Sequence, residues 1–585
     1  MCIQWLGPIC FALFISLAVS PCRAYQVLRS DELSESQLDD VLKQVDEQVR
    51  NDPTSAKSYL LRGMLRSKKQ DFQGALADAE QALALDPAIV GGFSLRGAVR
   101  FVLGRFDEAI VDLNEAIRQD AMDAQSLNNR GVCFLEKEDF DRALADFETC
   151  LQLNANDATA QANRGLVKLA KDEPELAIAD LNAAIQKKPR LEFPHRARAQ
   201  YWRATGNSDK AIDDLNEAIQ INPKSAKAYR DRSAAWEAKH EWDKAIDDTS
   251  EQIRLNPRDA VAYRTRGRQW YEKNEINKSL ADLNDAIRLS PDAVASLCWR
   301  AFVRGKIEET NGALEDLTAA LRVDPKDSWA REMRSKVWSR LDNFAAALND
   351  LDELLKTQKS ADLLTMHGTI LRQTGEFDRA IEDFTKALQI EPRHVAARVG
   401  RAEVWELKRE TDEALQDYDE AIRLNPHDPS ARVERGKFRS RNKDRNGALA
   451  DFDEALRVDP KFGLAYVGRA WIHESLDDLD SANQEYTKAL EFDPDNPLIL
   501  GRRGVVRTKA GNYDTALEDF TELIRRNPTK KSNFNWRGRV WEYKGCYEKA
   551  IEDFKAVLEI DPDDEYARSA IARVSELMRV LAEQK

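Results

Sequence analysis

Prolines recur in this chain on a fixed period of 34 residues: Pro53 and Pro87, then Pro189, Pro223, Pro257, Pro291 and Pro325, then Pro392, Pro426, Pro460, Pro494, Pro528 and Pro562. Pro87 to Pro189 is three periods, with Ala121 and Ala155 at the vacant landmarks. Pro325 to Pro392 is 67, one residue short near Gln358. Fifteen periods fit between Pro53 and Pro562. One copy is too small to bury its own apolar side, so each copy must pack on the next. That overrides the expectation of about four globular domains that 585 residues alone would raise.

Counting from each landmark, alanine stands at position 22 in almost every copy (Ala75, Ala109, Ala143, Ala177, Ala211, Ala245, with Ser279 the variant, onward to Ala550). A small or apolar residue stands at position 29, Gly, Ala or Ser at position 10, and often Trp or another large residue at position 13. Apolar positions spaced by three and four mean two amphipathic helices per copy. The proline punctuates them because it cannot continue a helix. The small residues let the two helices approach closely.

An aromatic, a Gly three or four residues later, then Ala, Phe or Leu, Ala and Pro on a 34-residue period resembles the tetratricopeptide repeat. Tyr229, Ser233, Trp236, Ala245 and Pro257 show the pattern in one copy. The resemblance covers about Thr54 to Pro562. It implies an all-α fold, a right-handed superhelical solenoid of about 15 stacked helix–turn–helix repeats, with the first helix of each pair lining a concave groove.

This chain departs from the family at one recurring place. The residue before the small position 10 is Arg in fourteen of fifteen copies, with His367 the exception, and an acid stands at position 25 throughout, Asp in every copy but Glu485. Both fall on core-facing stripes, where a charge must be paired. We expect an ion-pair ladder, represented by Arg232 with Asp248 and Arg266 with Asp282, in which guanidinium forks grip carboxylates.

The array is expected over 53–562. Ahead of it, 25–52 holds an amphipathic helix from Ser34 to Arg50, with Ser34 and Gln37 placed as a capping box, as a half-repeat covering the first copy. After it, 563–585 is a last helix with many polar residues that would solvate the open end. Residues 1–24 read as a signal peptide, because Trp5 to Val19 is almost wholly apolar and Cys22, Arg23 and Ala24 follow. That implies a secreted or periplasmic protein, or a membrane-anchored one if the segment stays uncleaved. Cys133, Cys150, Cys298 and Cys546 remain beyond it, and no CxxC pair points to zinc or to thioredoxin-type chemistry. Cys133 and Cys150 share one repeat, either as a disulfide or as small core residues in place of alanine.

Positions 7, 11 and 14 form a stripe beside the core face of the first helix, and the resemblance implies that it faces a partner. Four copies give a largely apolar lane: Leu60, Met64, Ser67; Ser94, Ala98, Phe101; Asn128, Val132, Leu135; Ala162, Leu166, Leu169. An exposed lane of that kind is usually a docking surface, and the alternative is that neighbouring helices or the N-terminal helix bury it. Three further copies give Arg196, Gln200, Arg203; Arg230, Ala234, Glu237; Arg264, Arg268, Tyr271. Arginines repeating at one position suit an acidic segment, unless Asp231, Glu237 and Glu272 neutralise them. The Lys/Asn arrangement with which some tetratricopeptide proteins grip chaperone C-termini is missing from this stripe, so that ligand is not carried over. Beyond Pro291 the stripe is mixed (Phe302, Lys336, Trp471, Arg539).

No GxxxxGK, HExxH or GxSxG motif occurs, and the six histidines fall without Cys or His partners at ligand spacing. No cofactor, metal or small-molecule substrate is implied. A net charge of −14 opposes general nucleic-acid binding. The expected function is a non-enzymatic scaffold that holds an extended protein segment. The alternatives are a structural spacer or self-associating envelope protein, and the regulatory arm of an enzyme complex.

Overall fold

The computed structural model describes residues 35–583. The expected signal peptide and Ser34 of the expected capping box lie outside them. Among the described residues there are 32 helices and no strand. They fall into two compact units, one running to Glu308 and the other starting at Glu309. Within each unit the helices come as pairs, each packed on the pair that follows it.

One repeat shows why the pairs form. Helix A, Ala226–Ala238, starts at Ser225, whose side chain accepts a hydrogen bond from the Ala228 amide. It ends where His240 takes the left-handed conformation at φ +57°. The same turn position has positive φ in copy after copy: Gln70, Glu138, Asp172 and Asn274 in the first unit, Arg409, Lys443 and Asp477 in the second, with glycine at Gly104, Gly206, Gly375, Gly511 and Gly545. A left-handed residue stops a helix within one turn, which lets the chain reverse at once. Helix B, Trp242–Leu255, stops at Asn256, held extended at φ −134° ahead of Pro257. The residue missing near Gln358 falls in the link from helix B to helix A: Phe344–Thr357 is followed by Ala361–Gln373.

Between the helices of a pair, the alanines at position 22 are fully buried. The side chain at position 26 of helix B lies on the small residue of helix A. A Cβ on Gly131 would come within 2.8 Å of the Phe147 ring, and one on Gly97 within 2.8 Å of Leu113. Cys150 takes a position-29 alanine's place, and its thiol donates to the Ala124 carbonyl at 3.2 Å. Cys133 and Cys150 are both free and buried, and burial pushes both thiols up to about 12.

The helix Glu35–Asn51 packs on Ala56–Lys68 and buries Val45 and Val49. Its Asp46 accepts from Arg62 at 3.1 Å. The last helix, Glu565–Glu583, packs on Tyr547–Ile560 through Ala567, Ala570 and Val574.

Candidate functional site

The ladder positions are held by two packed helices at once. Arg232 on helix A donates from Nε and Nη2 to both oxygens of Asp248 on helix B, at 2.9 and 2.6 Å. Arg266 and Asp282 repeat this at 2.7 and 2.8 Å. In the second unit Arg334 grips Asp350, Arg401 grips Asp417 and Arg537 grips Asp553 in the same way. The remaining guanidinium nitrogen makes a contact that the sequence reading missed. Nη1 donates backwards, to position 27 of the preceding repeat's helix B: Arg198 to Asn182 at 2.5 Å, Arg232 to Asn216 at 2.6 Å, Arg266 to Ser250 at 3.0 Å, Arg401 to Thr385 at 3.0 Å. Each of these four arginines therefore ties its own hairpin shut and ties it to the hairpin before. His367 keeps the hairpin end of this contact, with Nδ1 2.6 Å from Asp383, while its Nε2 lies 3.3 Å from Asp352 without a hydrogen bond among the described residues.

A second ladder was also missed, although its signal is a Lys at position 16 and an Asp at position 20 recurring through the sequence. Lys171 meets Asp141 at 2.7 Å and Lys408 meets Asp378 at 2.5 Å, with Lys137–Asp107, Lys239–Asp209, Lys273–Asp243 and Lys544–Asp514 as further rungs. Their aspartates are exposed, so each is worth under about 1 kcal/mol.

The apolar lane is not a docking surface. Leu60, Met64, Phe101, Val132, Leu135 and Leu166 are buried in hydrophobic cores, and Leu169 is packed against one of them. The physical reason is that consecutive A helices pack side by side, for instance Gly92–Val102 on Ala124–Glu136, and positions 7 and 11 fall in the seam. Polar residues in that seam pair across it: Asn163 donates to Asn128 at 2.9 Å, and Ser126 to Ser94 at 2.8 Å.

The arginines expected to stack as equals sit in three different environments. Arg196 is buried and locked into the seam, donating to Asp231 of the next repeat at 3.3 and 3.2 Å with Glu192 3.7 Å away; it is a structural residue, not a docking one. Arg230 reaches the other oxygen of Asp231 at 3.1 Å, but half of its side chain stays exposed (50%). Arg264 is partly buried, and its guanidinium has no hydrogen-bonded acceptor among the described residues. Burial, and then the neighbouring charge of Arg268, hold its pKa below the ordinary arginine value. Arg268 donates to Glu237, whose other oxygen accepts from Gln269 at 2.7 Å. Tyr271 sits edge-on to Phe302 at 5.1 Å between ring centroids. Arg203 is partly exposed at the end of Glu192–Ala204 and also lacks an acceptor among the described residues.

Glu136, at the end of helix Ala124–Glu136, has a buried carboxylate oxygen with no hydrogen-bond partner among the described residues. Burial pushes its carboxyl from 4.5 up to about 7, although the charge of Lys227 works the other way. Within that window the folded chain holds a proton that the unfolded chain has released, so stability falls as pH rises through it. Glu136→Gln removes this loss. Its stability relative to the parent should rise by about 1 kcal/mol between about pH 5 and pH 8, after allowance for the exposed part of the side chain. Denaturant midpoints of both proteins across that range measure it, and a pH-independent difference would refute the assignment.

No three His, Cys, Asp or Glu side chains among the described residues are grouped to hold a metal ion. No helix among them is long and apolar enough to cross a membrane. Family models described as tetratricopeptide repeat match residues 60–124, 365–429 and 435–497, and three others of the same description match 124–157, 485–518 and 533–564. No curated protein matches the sequence. Among solved structures, Naa15/Naa10 bound to HypK-THB is similar at 12% identity and a TM-score of 0.39, over 91% of this chain and 97% of that one. The APC/C hetero-tetramer Cut9–Hcn1 is similar at 15% and 0.42, over 85% and 98%. PilF of Pseudomonas aeruginosa is similar at 15% and 0.33, over 36% and 97%.

Proposed function

Since its repeats are tetratricopeptide repeats, a protein-interaction architecture, we propose that this chain is a non-enzymatic scaffold that holds an extended, acidic segment of a partner protein along the A helices of its first unit. Solenoids of this kind offer long surfaces on which many small contacts add. One observation carries the reading. Arg203 and Arg264 have no acceptor among the described residues, while Arg196 and Arg268 beside them are committed to internal acids. A partly buried guanidinium without a hydrogen-bonded acceptor has already lost hydration, so an incoming carboxylate gains a charge-assisted hydrogen bond at reduced desolvation cost. Arg230, half exposed between them in the chain, adds a third donor.

Arg203→Glu combined with Arg264→Glu replaces attraction with repulsion and should lower crosslinked capture of the native partner by about tenfold or more. Arg196 is left alone, because its loss would damage the seam. Equal capture by the parent and the double variant, both with unchanged helical content by circular dichroism, would end the proposal.

A further inference from the structure

The A helices of three successive repeats in the second unit, Gly463–Ser475, Pro497–Lys509 and Lys531–Tyr543, carry a face that neither ladder uses. Positions 8, 11 and 15 share one side of a helix because they are spaced by three and four. On these helices they include Trp471, Arg502, Trp536, Arg539 and Tyr543. Trp471 is 39% exposed and Tyr543 55%. Trp536 lies flat against Phe520, with ring planes 4° apart, and Arg539 sits over Trp536 at 4.6 Å. Arg539 also donates to the Tyr543 hydroxyl at 3.2 Å. Between the first two of these helices, the buried Tyr486 of Leu479–Phe492 donates its hydroxyl to Glu474 at 3.3 Å.

What sets this face apart is its charge. Several other cations on the A helices of the second unit are paired: Arg372 with Glu403, Arg441 with Glu406, Arg573 with Glu542 and, at position 15 of this same face, Lys509 with Glu474. Arg539 has no carboxylate partner, and exposed Arg502 has no hydrogen-bonded partner, among the described residues. Asn535, on the same helix as Arg539, keeps a buried side-chain oxygen without a hydrogen bond among the described residues. Arg539, stacked on Trp536 and bonded to Tyr543, and exposed Arg502 on the helix before it thus put two arginines without carboxylate partners among the described residues on one face.

We propose that this face is a second docking site, for a partner segment that combines carboxylates with aromatic or apolar side chains. This rests on the scaffold reading but uses different residues in the other unit. A guanidinium stacked on a ring keeps its N–H donors free at the edge, in the plane where a carboxylate can take two of them. Trp, Tyr and Arg are also the side chains that concentrate binding energy in protein interfaces. Nucleic acid fits poorly, because a polyanion needs an extended basic surface and this face offers two cations on a chain of net charge −14.

The test uses the full chain and fluorescence anisotropy of a fluorescein-labelled peptide repeating Glu-Glu-Phe three times, with Gln-Gln-Phe as the neutral control and oligogalacturonate as competitor. The acidic peptide should bind about tenfold or more tightly than the neutral one. Arg502→Gln combined with Arg539→Gln should erase that preference, and Trp471→Ala should weaken both peptides by about threefold or more. Every protein in the series also carries Arg203→Gln with Arg264→Gln, so that the first-unit site does not contribute to the reading. No preference for the acidic peptide, a preference that survives the Arg502 and Arg539 changes, or tighter binding of oligogalacturonate than of the peptide would each overturn the proposal. Loss of native-partner capture on changing Arg203 and Arg264 is read separately, so failure at one site is distinguishable from failure at the other.

Discussion

Arg232→Ala should cost about 3–5 kcal/mol of local stability, far more than the loss of a surface ion pair. The partner left behind decides the size. Asp248 is 4% exposed, and both its oxygens are taken by the arginine. Burial already outweighs the attraction of Arg232 and pushes the Asp248 carboxyl above the ordinary aspartate range. A buried ion pair is generally near break-even as a pair, whereas the aspartate alone is a buried charge with nothing to offset it. Changing both residues together, Arg232→Met with Asp248→Leu, should cost less than either single change, because no orphan remains. The Nη1 bond to Asn216 extends the effect to the preceding hairpin. Solenoid stability is a sum of nearest-neighbour terms, so hydrogen exchange should quicken in Ala226–Ala238, Trp242–Leu255 and the hairpin before them, with the second unit unaffected. A single change costing under about 1 kcal/mol, or a double change as costly as the sum of the singles, would show that the rungs do not act as pairs.

The rungs also show where the sequence could be read and where it could not. Arg232 and Asp248 lie sixteen residues apart on stripes that both face the helix interface, so their pairing follows from periodicity and the cost of burying charge. The third bond of each arginine is invisible to that reasoning. Its acceptors, Asn182, Asn216, Ser250 and Thr385, share only a hydrogen-bonding oxygen, and no apolar pattern marks their position. The apolar lane misled for a related reason. A stripe of Leu60, Met64, Val132 and Leu166 looks the same in sequence whether it faces a partner or the next copy of its own helix. Only the seam between consecutive A helices tells the two apart. Arg196, Arg230 and Arg264 are identical in the repeat, yet their environments depend on Asp231, Glu192 and Arg268, neighbours drawn from outside the repeating position.

Phe452→Ala should cost about 3–5 kcal/mol, and the two glycines that hold the ring make the loss testable from both sides. The ring is 1% exposed on helix Arg445–Val458, between Gly436 of its own repeat and Gly468 of the next. A Cβ built on Gly436 would lie 2.7 Å from the ring, and one on Gly468 would lie 2.4 Å from it. Alanine is the better helix former by about 1 kcal/mol, so propensity alone favours Gly468→Ala. Sterics oppose it. The ring has little room to retreat from position 468, because the helix of its own repeat also comes close to it at Gly436, and overpacking of this kind costs about 1–3 kcal/mol. Gly468→Ala should therefore be destabilising on balance. Combined with Phe452→Leu, which shortens the side chain facing it, the same alanine should recover most of its own cost, leaving little beyond that of the leucine. Unfolding of the parent, both singles and the double by denaturant reads the four corners of that cycle. A Gly468→Ala protein more stable than its parent would mean that the ring is free to move. The second unit would then be joined from repeat to repeat by its arginine rungs rather than by aromatic rings seated between glycines.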